Sequence, residues 1–143
     1  MADRVRRPER HEEMLSDLEK KAIFKTYKDA LLFAASLGFA RGKRLSFSKS
    51  GEPIRLQVFN SEFNRTAMNT LAVAETSDPM YLGEDKEDEK VRIFEEYACG
   101  GLEILKNEIW DVKADWELAL LNLVLQEEDT DTVLKDITGL AQS

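Results

Sequence analysis

The chain has 143 residues but only one cysteine, one histidine and three prolines. Each shortage excludes something. With Cys99 alone, no disulfide can close within the chain and a thiolate zinc site lacks its ligands. A single histidine, His11, likewise leaves imidazole-based zinc chemistry without a ligand set. The apolar runs at 30–35 and 118–121 fall far short of the roughly 20 residues that a membrane-spanning helix needs, so no span is expected. The first eight residues are basic, yet they lead into Glu12, Glu13, Asp17 and Glu19 instead of an apolar signal core. A cytoplasmic protein is expected. Glycine-rich phosphate loops are missing too, because Gly100-Gly101 is not followed by the Lys and Ser or Thr of a nucleotide-binding loop.

What is present suits one folded domain. Hydrophobic residues make up 43% of the chain and charged residues 34%. A domain of this length buries roughly 70% of the surface its unfolded chain exposes, so it needs no metal or cross-link to supply a core. The net charge of −8 conceals an asymmetry. Residues 1–70 hold 14 basic and 9 acidic side chains (+5), whereas residues 71–143 hold 6 and 19 (−13).

Arg4, Arg6, Arg7 and Arg10 with Pro8 make residues 1–10 an expected basic N-terminal arm, followed by a single helical domain over 11–143. Leu15, Leu18, Ile23, Tyr27, Leu31, Ala34 and Ala35 follow helical spacing except for one five-residue step, which predicts a break near residues 19–21. Ser16 and Glu19 have the spacing of a capping box, and Gly38 is placed to end the second helix in a left-handed conformation. Alternation at Leu45 and Phe47, turn chemistry at 49–52, and alternation at Ile54, Leu56 and Val58 predict a small β-hairpin near residues 44–59. Helical spacing resumes at Phe63, Ala67, Leu71 and Ala74 and stops at Asp78-Pro79. The strongest amphipathic pattern runs through Val91, Phe94, Ala98, Leu102, Leu105, Ile109 and Val112. Gly100-Gly101 lies inside it at about 1 kcal/mol per glycine, which implies a close helix approach or a kink. A break between Trp110 and Trp116, a central apolar helix over 118–125 and a last short helix capped by Thr130 or Asp131 complete the pattern. The expected fold is mainly α: a compact multi-helix single domain with that small hairpin.

Nine basic residues concentrate in two short stretches: Arg4, Arg6, Arg7, Arg10, Arg41, Lys43, Arg44, Lys49 and Arg55. Such groups bind phosphate backbones by releasing counterions, and Phe39, Phe47 or Phe59 would stack bases if exposed. The plainer expectation is a solvated arm and hairpin edge over core phenylalanines. The acidic runs at 84–89 and 127–131 lack the ligand spacing of a calcium loop and read as solvated helix starts. Asp111-Val112-Lys113 has the spacing of metal-dependent nucleases, with Glu96 or Glu103 as further carboxylates, but it sits at the end of a helical pattern instead of on adjoining strands. Cys99 reads as a small buried thiol, and His11 as part of a polar, exposed helix start. No catalytic residue, metal ligand or cofactor is singled out.

The chain resembles the Dnd system-associated protein 4 family, found with bacterial DNA phosphorothioation genes. The resemblance is carried by Val5-Arg6-Arg7-Pro8, by residues 26–35 with Leu37-Gly38, by residues 71–76, and above all by Ile93-Phe94-Glu95-Glu96-Tyr97-Ala98 with Gly100-Gly101-Leu102-Glu103-Ile104-Leu105. Cys99 departs from the pattern. The resemblance implies an accessory protein of a system that places sulfur in the DNA backbone and restricts unmodified DNA. Its implied partners are proteins of that system, with DNA as a further one, and it implies no catalytic residues. Two alternatives come from other classes: a metal-dependent nuclease or other DNA-acting enzyme using Asp111 and Lys113, and a DNA-binding homo-oligomer. The face of Phe94, Tyr97, Ala98, Gly101 and Leu102 is expected to pack on the helix at 27–37, leaving Glu95, Glu96 and Glu103 to meet water, Lys28 or Arg65.

Overall fold

A computed structural model describes residues 3–21, 23–112 and 115–125. Its helices are α1 (Glu12–Lys20), α2 (Tyr27–Ala40), α3 (Glu62–Thr76), α4 (Glu87–Leu105) and α5, helical over 116–125. Two short strands, β1 (Arg4–Val5) and β2 (Ile54–Arg55), form an antiparallel pair. The mainly helical single domain with a small two-stranded sheet is therefore as the sequence predicts.

The helix boundaries have local causes. Thr26 caps α2, its Oγ1 accepting a hydrogen bond from the Asp29 N–H at 3.1 Å, and Ser61 caps α3 in the same way through the Asn64 N–H at 3.1 Å. Ser77, at φ 57°, closes α3 in the left-handed region before Asp78-Pro79 begins a short 3₁₀ turn. Glu87, Asp88 and Glu89 place negative charge in the first turn of α4, where the helix dipole favours it. The expected breaks near residue 20 and after Trp110 are both present.

Helix α4 is the core of the molecule. Val91, Phe94, Ala98, Leu102 and Leu105 are buried, and so on other sides are Ile93, Cys99 and Ile104. A helix buried on nearly all sides must be enclosed by its neighbours, and α2 lies against it along its length. Glycines make that approach possible. A Cβ at Gly101 would collide with the Ala34 backbone, and one at Gly38 would collide with the Tyr97 carbonyl. Close approach, not a kink, thus accounts for Gly100-Gly101. Gly38 lies within α2, and the left-handed residue after that helix is Gly42, at φ 65°.

Several expectations are corrected. Residues 45–48 form no strand; β2 pairs instead with the N-terminal segment, Arg4 opposite Arg55 and Val5 opposite Ile54. The extended N-terminus puts the fully buried Val5 and the nearly buried Arg7 inward while Arg4 is exposed and Arg6 half-buried, so it seats a side chain in the core. The loop that was expected to pair with β2 is drawn to α4, where the Leu45 N–H donates to the Glu96 carbonyl at 3.0 Å. Beyond β2 the chain turns through Leu56–Phe59, and Phe59 meets Phe94 edge to face at 5.6 Å. Ser16 lies inside α1 and caps nothing. Helix α5 is not central: Leu118, Leu121 and Leu125 are exposed and Leu123 is its buried residue. The short helix expected near residue 130 lies outside the described residues, as does the acidic run at 127–131.

Candidate functional site

Most of the basic candidates meet a carboxylate of the same chain. Arg6 donates to the buried Glu95 through both its backbone N–H and its guanidinium, which also lies over the Phe47 ring at 4.6 Å from the centroid. Burial pushes the Glu95 carboxyl above the usual range, and the hydrogen bonds and charge of Arg6 oppose that rise. Arg44 bridges Glu96 at 2.7 Å and Glu75 at 3.2 Å. The Tyr97 hydroxyl donates to Glu75, and burial followed by this carboxylate pushes the phenol up to about 12. Arg41 meets Glu108 at 2.6 Å. Arg7, nearly buried, reaches Glu12 at 3.1 Å and the Glu52 carbonyl at 2.6 Å and lies over the Tyr27 ring.

Carboxylates of the acidic half thus pair with Arg6, Arg41 and Arg44 of the basic half. Contrary to the expectation that they would meet water, Lys28 or Arg65, Glu95 and Glu96 pair with Arg6 and Arg44, and Arg65 joins Glu87 at 2.7 Å. What remains is smaller than the nine residues read from sequence. Among the described residues no carboxylate pairs with Lys43, Lys49 or Arg55, and Arg4 has only the neighbouring Asp3 at 4.0 Å. Arg4 and Arg55 sit directly opposite one another across the strand pair, where like charges repel unless an anion comes between them. Phe59 is fully buried and unavailable for stacking, whereas Phe47 is half-buried and Phe39 exposed.

Arg10 has different company. One guanidinium nitrogen lies 3.1 Å from Cys99 Sγ, and its closest carboxylate, Glu103, is 4.0 Å away. His11, expected to be exposed, is buried at 1% exposure because the 3₁₀ turn of Glu9–His11 folds it inward against α4. Its Nε2 is 3.2 Å from Glu103 Oε2 but is not aligned for a hydrogen bond, and Nδ1 has no partner. Desolvation lowers the His11 pKa from 6.5 to about 4, overriding the attraction of Glu103. Burial also raises the Cys99 thiol, against the pull of Arg10, so Cys99 is a neutral buried thiol at neutral pH, in line with the sequence reading.

Two concave surfaces flank this charge network. A cavity of about 750 Å³ is lined by Glu9, Arg10, Ser46, Phe47, Ser48 and Lys49. The second, of about 350 Å³, is an apolar groove between α2 and α3 whose floor is Phe94 and whose sides include Leu32, Ala35, Ala67 and Leu71. At its rim Phe63 is 78% exposed and Phe39 39%. No sequence signal distinguished Phe63 from the buried residues on its stripe.

The residues named for a nuclease do not converge. Asp111 meets Lys106 at 3.0 Å, Glu96 is held by Arg44, and Lys113 lies outside the described residues. At about 1.5 Å of helix rise per residue, Glu96 and Asp111 are about 20 Å apart. Among the described residues no group of three or more His, Cys, Asp or Glu side chains could hold a metal ion, and no helix is long and apolar enough to cross a membrane.

These features define a small helical protein closed by its own ion pairs, with an apolar groove between α2 and α3 and, among the described residues, a few cations without a close carboxylate. Residues 4–141 match the family described as DNA sulphur modification system-associated protein 4, and the chain belongs to that family. No curated protein and no solved structure shows a significant match to it.

Proposed function

We propose that the chain is a non-catalytic accessory component of a bacterial DNA phosphorothioation-linked modification and restriction system, acting in the cytoplasm. It docks onto another protein of that system through the α2–α3 groove and touches the DNA backbone with Arg4, Lys43, Lys49 and Arg55. Family membership supplies the system. The observation that carries the docking reading is Phe63, 78% exposed at the rim of an apolar groove. A large aromatic left in water beside other uncovered apolar surface marks an interaction face. The groove, with helices as walls and small residues such as Ala35, Ala67 and Ala74 along it, suits the apolar face of a partner helix.

The test is co-purification from a host carrying the complete modification system, with the captured proteins identified. The native chain should retain at least one protein encoded beside it, and Phe63→Glu should lose that protein while unfolding at an unchanged temperature. Retention by Phe63→Glu, or capture of nothing but a second copy of the chain, would overturn the docking reading. The latter result would favour the homo-oligomer.

A further inference from the structure

We propose that the cavity between the 3₁₀ turn of Glu9–His11 and the loop at 46–49 is a receptor for the phosphate group of a nucleotide, free or within a nucleic-acid strand. The polymeric case rests on the DNA contact proposed above; the free nucleotide does not.

The walls of this cavity come from distant parts of the chain and are fastened together. The Glu9 N–H donates to the Lys49 carbonyl at 3.0 Å, and the Gly51 N–H donates to the Arg7 carbonyl at 2.9 Å. This pairing brings Arg10 and Lys49, two cations 39 positions apart, to one opening. Among the described residues neither cation has a carboxylate nearer than 4.0 Å. Lys49 has no carboxylate partner among the described residues, and Arg10 has Glu103 only at 4.0 Å.

Arg10 is anchored from behind by a neutral thiol, which positions the guanidinium without cancelling its charge. A guanidinium has five donor hydrogens in a fixed fork, so the contact with Cys99 leaves donors for a ligand. Ser46 and Ser48 add hydroxyl donors, completing the mixture of cations and hydroxyls that a tetrahedral oxyanion accepts from.

Two further features favour a nucleotide over a small inorganic anion alone. The cavity, at about 750 Å³, is in the range of sites that hold molecules of nucleotide size. Phe47, half-buried with Arg6 over one side of its ring, lines the cavity and supplies apolar surface for a sugar or base. Glu9, the carboxylate on the rim, can accept from a ribose hydroxyl or a base amine, and it disfavours a second phosphate close by.

The experiment is an amide-resolved NMR titration of the full chain with inorganic phosphate, with adenosine monophosphate and with a short DNA duplex, at low salt. Adenosine monophosphate is expected to shift the amides of residues 46–49 and of Arg10, and inorganic phosphate is expected to shift a subset of them. Lys49→Glu and Ser48→Ala, both at exposed positions, should each weaken nucleotide binding by about tenfold or more while the rest of the spectrum stays unchanged. Nucleotide binding without duplex binding would uphold the cavity and remove the DNA contact. Duplex binding that leaves residues 46–49 unshifted and is indifferent to Lys49→Glu would uphold a DNA contact elsewhere and overturn the cavity. If none of the three ligands moves these amides, the cavity proposal is wrong.

Discussion

Removing the Arg6 side chain tests whether opposite charges from the two halves close this fold. Glu95 is 4% exposed, and the Arg6 guanidinium is the cation beside it. Losing one partner of a buried pair costs about 3–5 kcal/mol, because the remaining charge is left uncompensated. Here the loss is smaller. The Arg6 side chain is 40% exposed, so water screens part of the attraction, and the backbone N–H that donates to Glu95 survives any substitution that keeps an N–H. About 2 kcal/mol remains for Arg6→Ala at neutral pH, by the same reasoning. The pH dependence has a definite sign. Burial already raises the Glu95 carboxyl above its unfolded value, so its folded form favours the proton and stability is lost as pH rises through the folded pKa. Without Arg6 that pKa climbs further and the loss grows. The deficit of Arg6→Ala should therefore be largest near pH 7 and shrink on acidification, where a protonated Glu95 no longer needs a cation. Urea unfolding followed by circular dichroism, comparing variant and parent at each pH, isolates this difference from other titrations. Adding Glu95→Gln to Arg6→Ala should recover most of the loss at pH 7. A deficit under about 0.5 kcal/mol, the level of an exposed pair, or one that does not change with pH would refute the reasoning.

Other substitutions probe separate parts of the structure. Below pH 6.5, unfolded His11 takes up protons that the folded chain refuses until about pH 4, so stability should fall across that window as pH falls. His11→Phe should flatten that slope in urea midpoints, and an unchanged slope would count against a buried neutral imidazole. Gly101→Ala places a Cβ against the Ala34 backbone and should destabilise by about 3 kcal/mol or more, or prevent folding, whereas Gly42→Ala, in open space at φ 65°, should lose only about 1–2 kcal/mol. Thermal unfolding would rank the two, and equal effects would contradict the close approach of α2 and α4. Asp111→Ala removes an exposed pair with Lys106 and should leave stability within about 0.5 kcal/mol and create no loss of metal-dependent DNA cleavage. Cleavage by the native chain that this variant abolishes would revive the nuclease.

Much of the helical framework was legible in the sequence, because α2, α3 and α4 carry apolar residues at three- and four-residue steps, whereas the caps at Thr26 and Ser61 were not. The tight helix packing was legible as well, since two adjacent glycines inside a strong helical pattern demand a compensating approach. Strand pairing was not. Two residues of β1 carry no periodic signal, and the buried position of Val5 depends on contacts some fifty residues away. For the same reason the charge division between the halves was visible, but its main consequence was not. A count of cations cannot show that Arg6, Arg41 and Arg44 face Glu95, Glu108 and Glu96 across the fold. Helix α5 was misjudged because an apolar run reports composition and not which face meets the core, and Leu118, Leu121 and Leu125 are exposed.

If most of the nine candidate cations are paired within the molecule, few of them are left for a phosphate backbone. The salt dependence of duplex DNA binding reads that number directly, because the slope of log affinity against log salt is about −0.9 per neutralised phosphate. Arg4, Lys43, Lys49 and Arg55, with or without Arg10, give a slope of about −4. A slope near −8 that becomes shallower in Arg6→Ala and Arg44→Ala would show that the internal ion pairs open to DNA and would contradict the account.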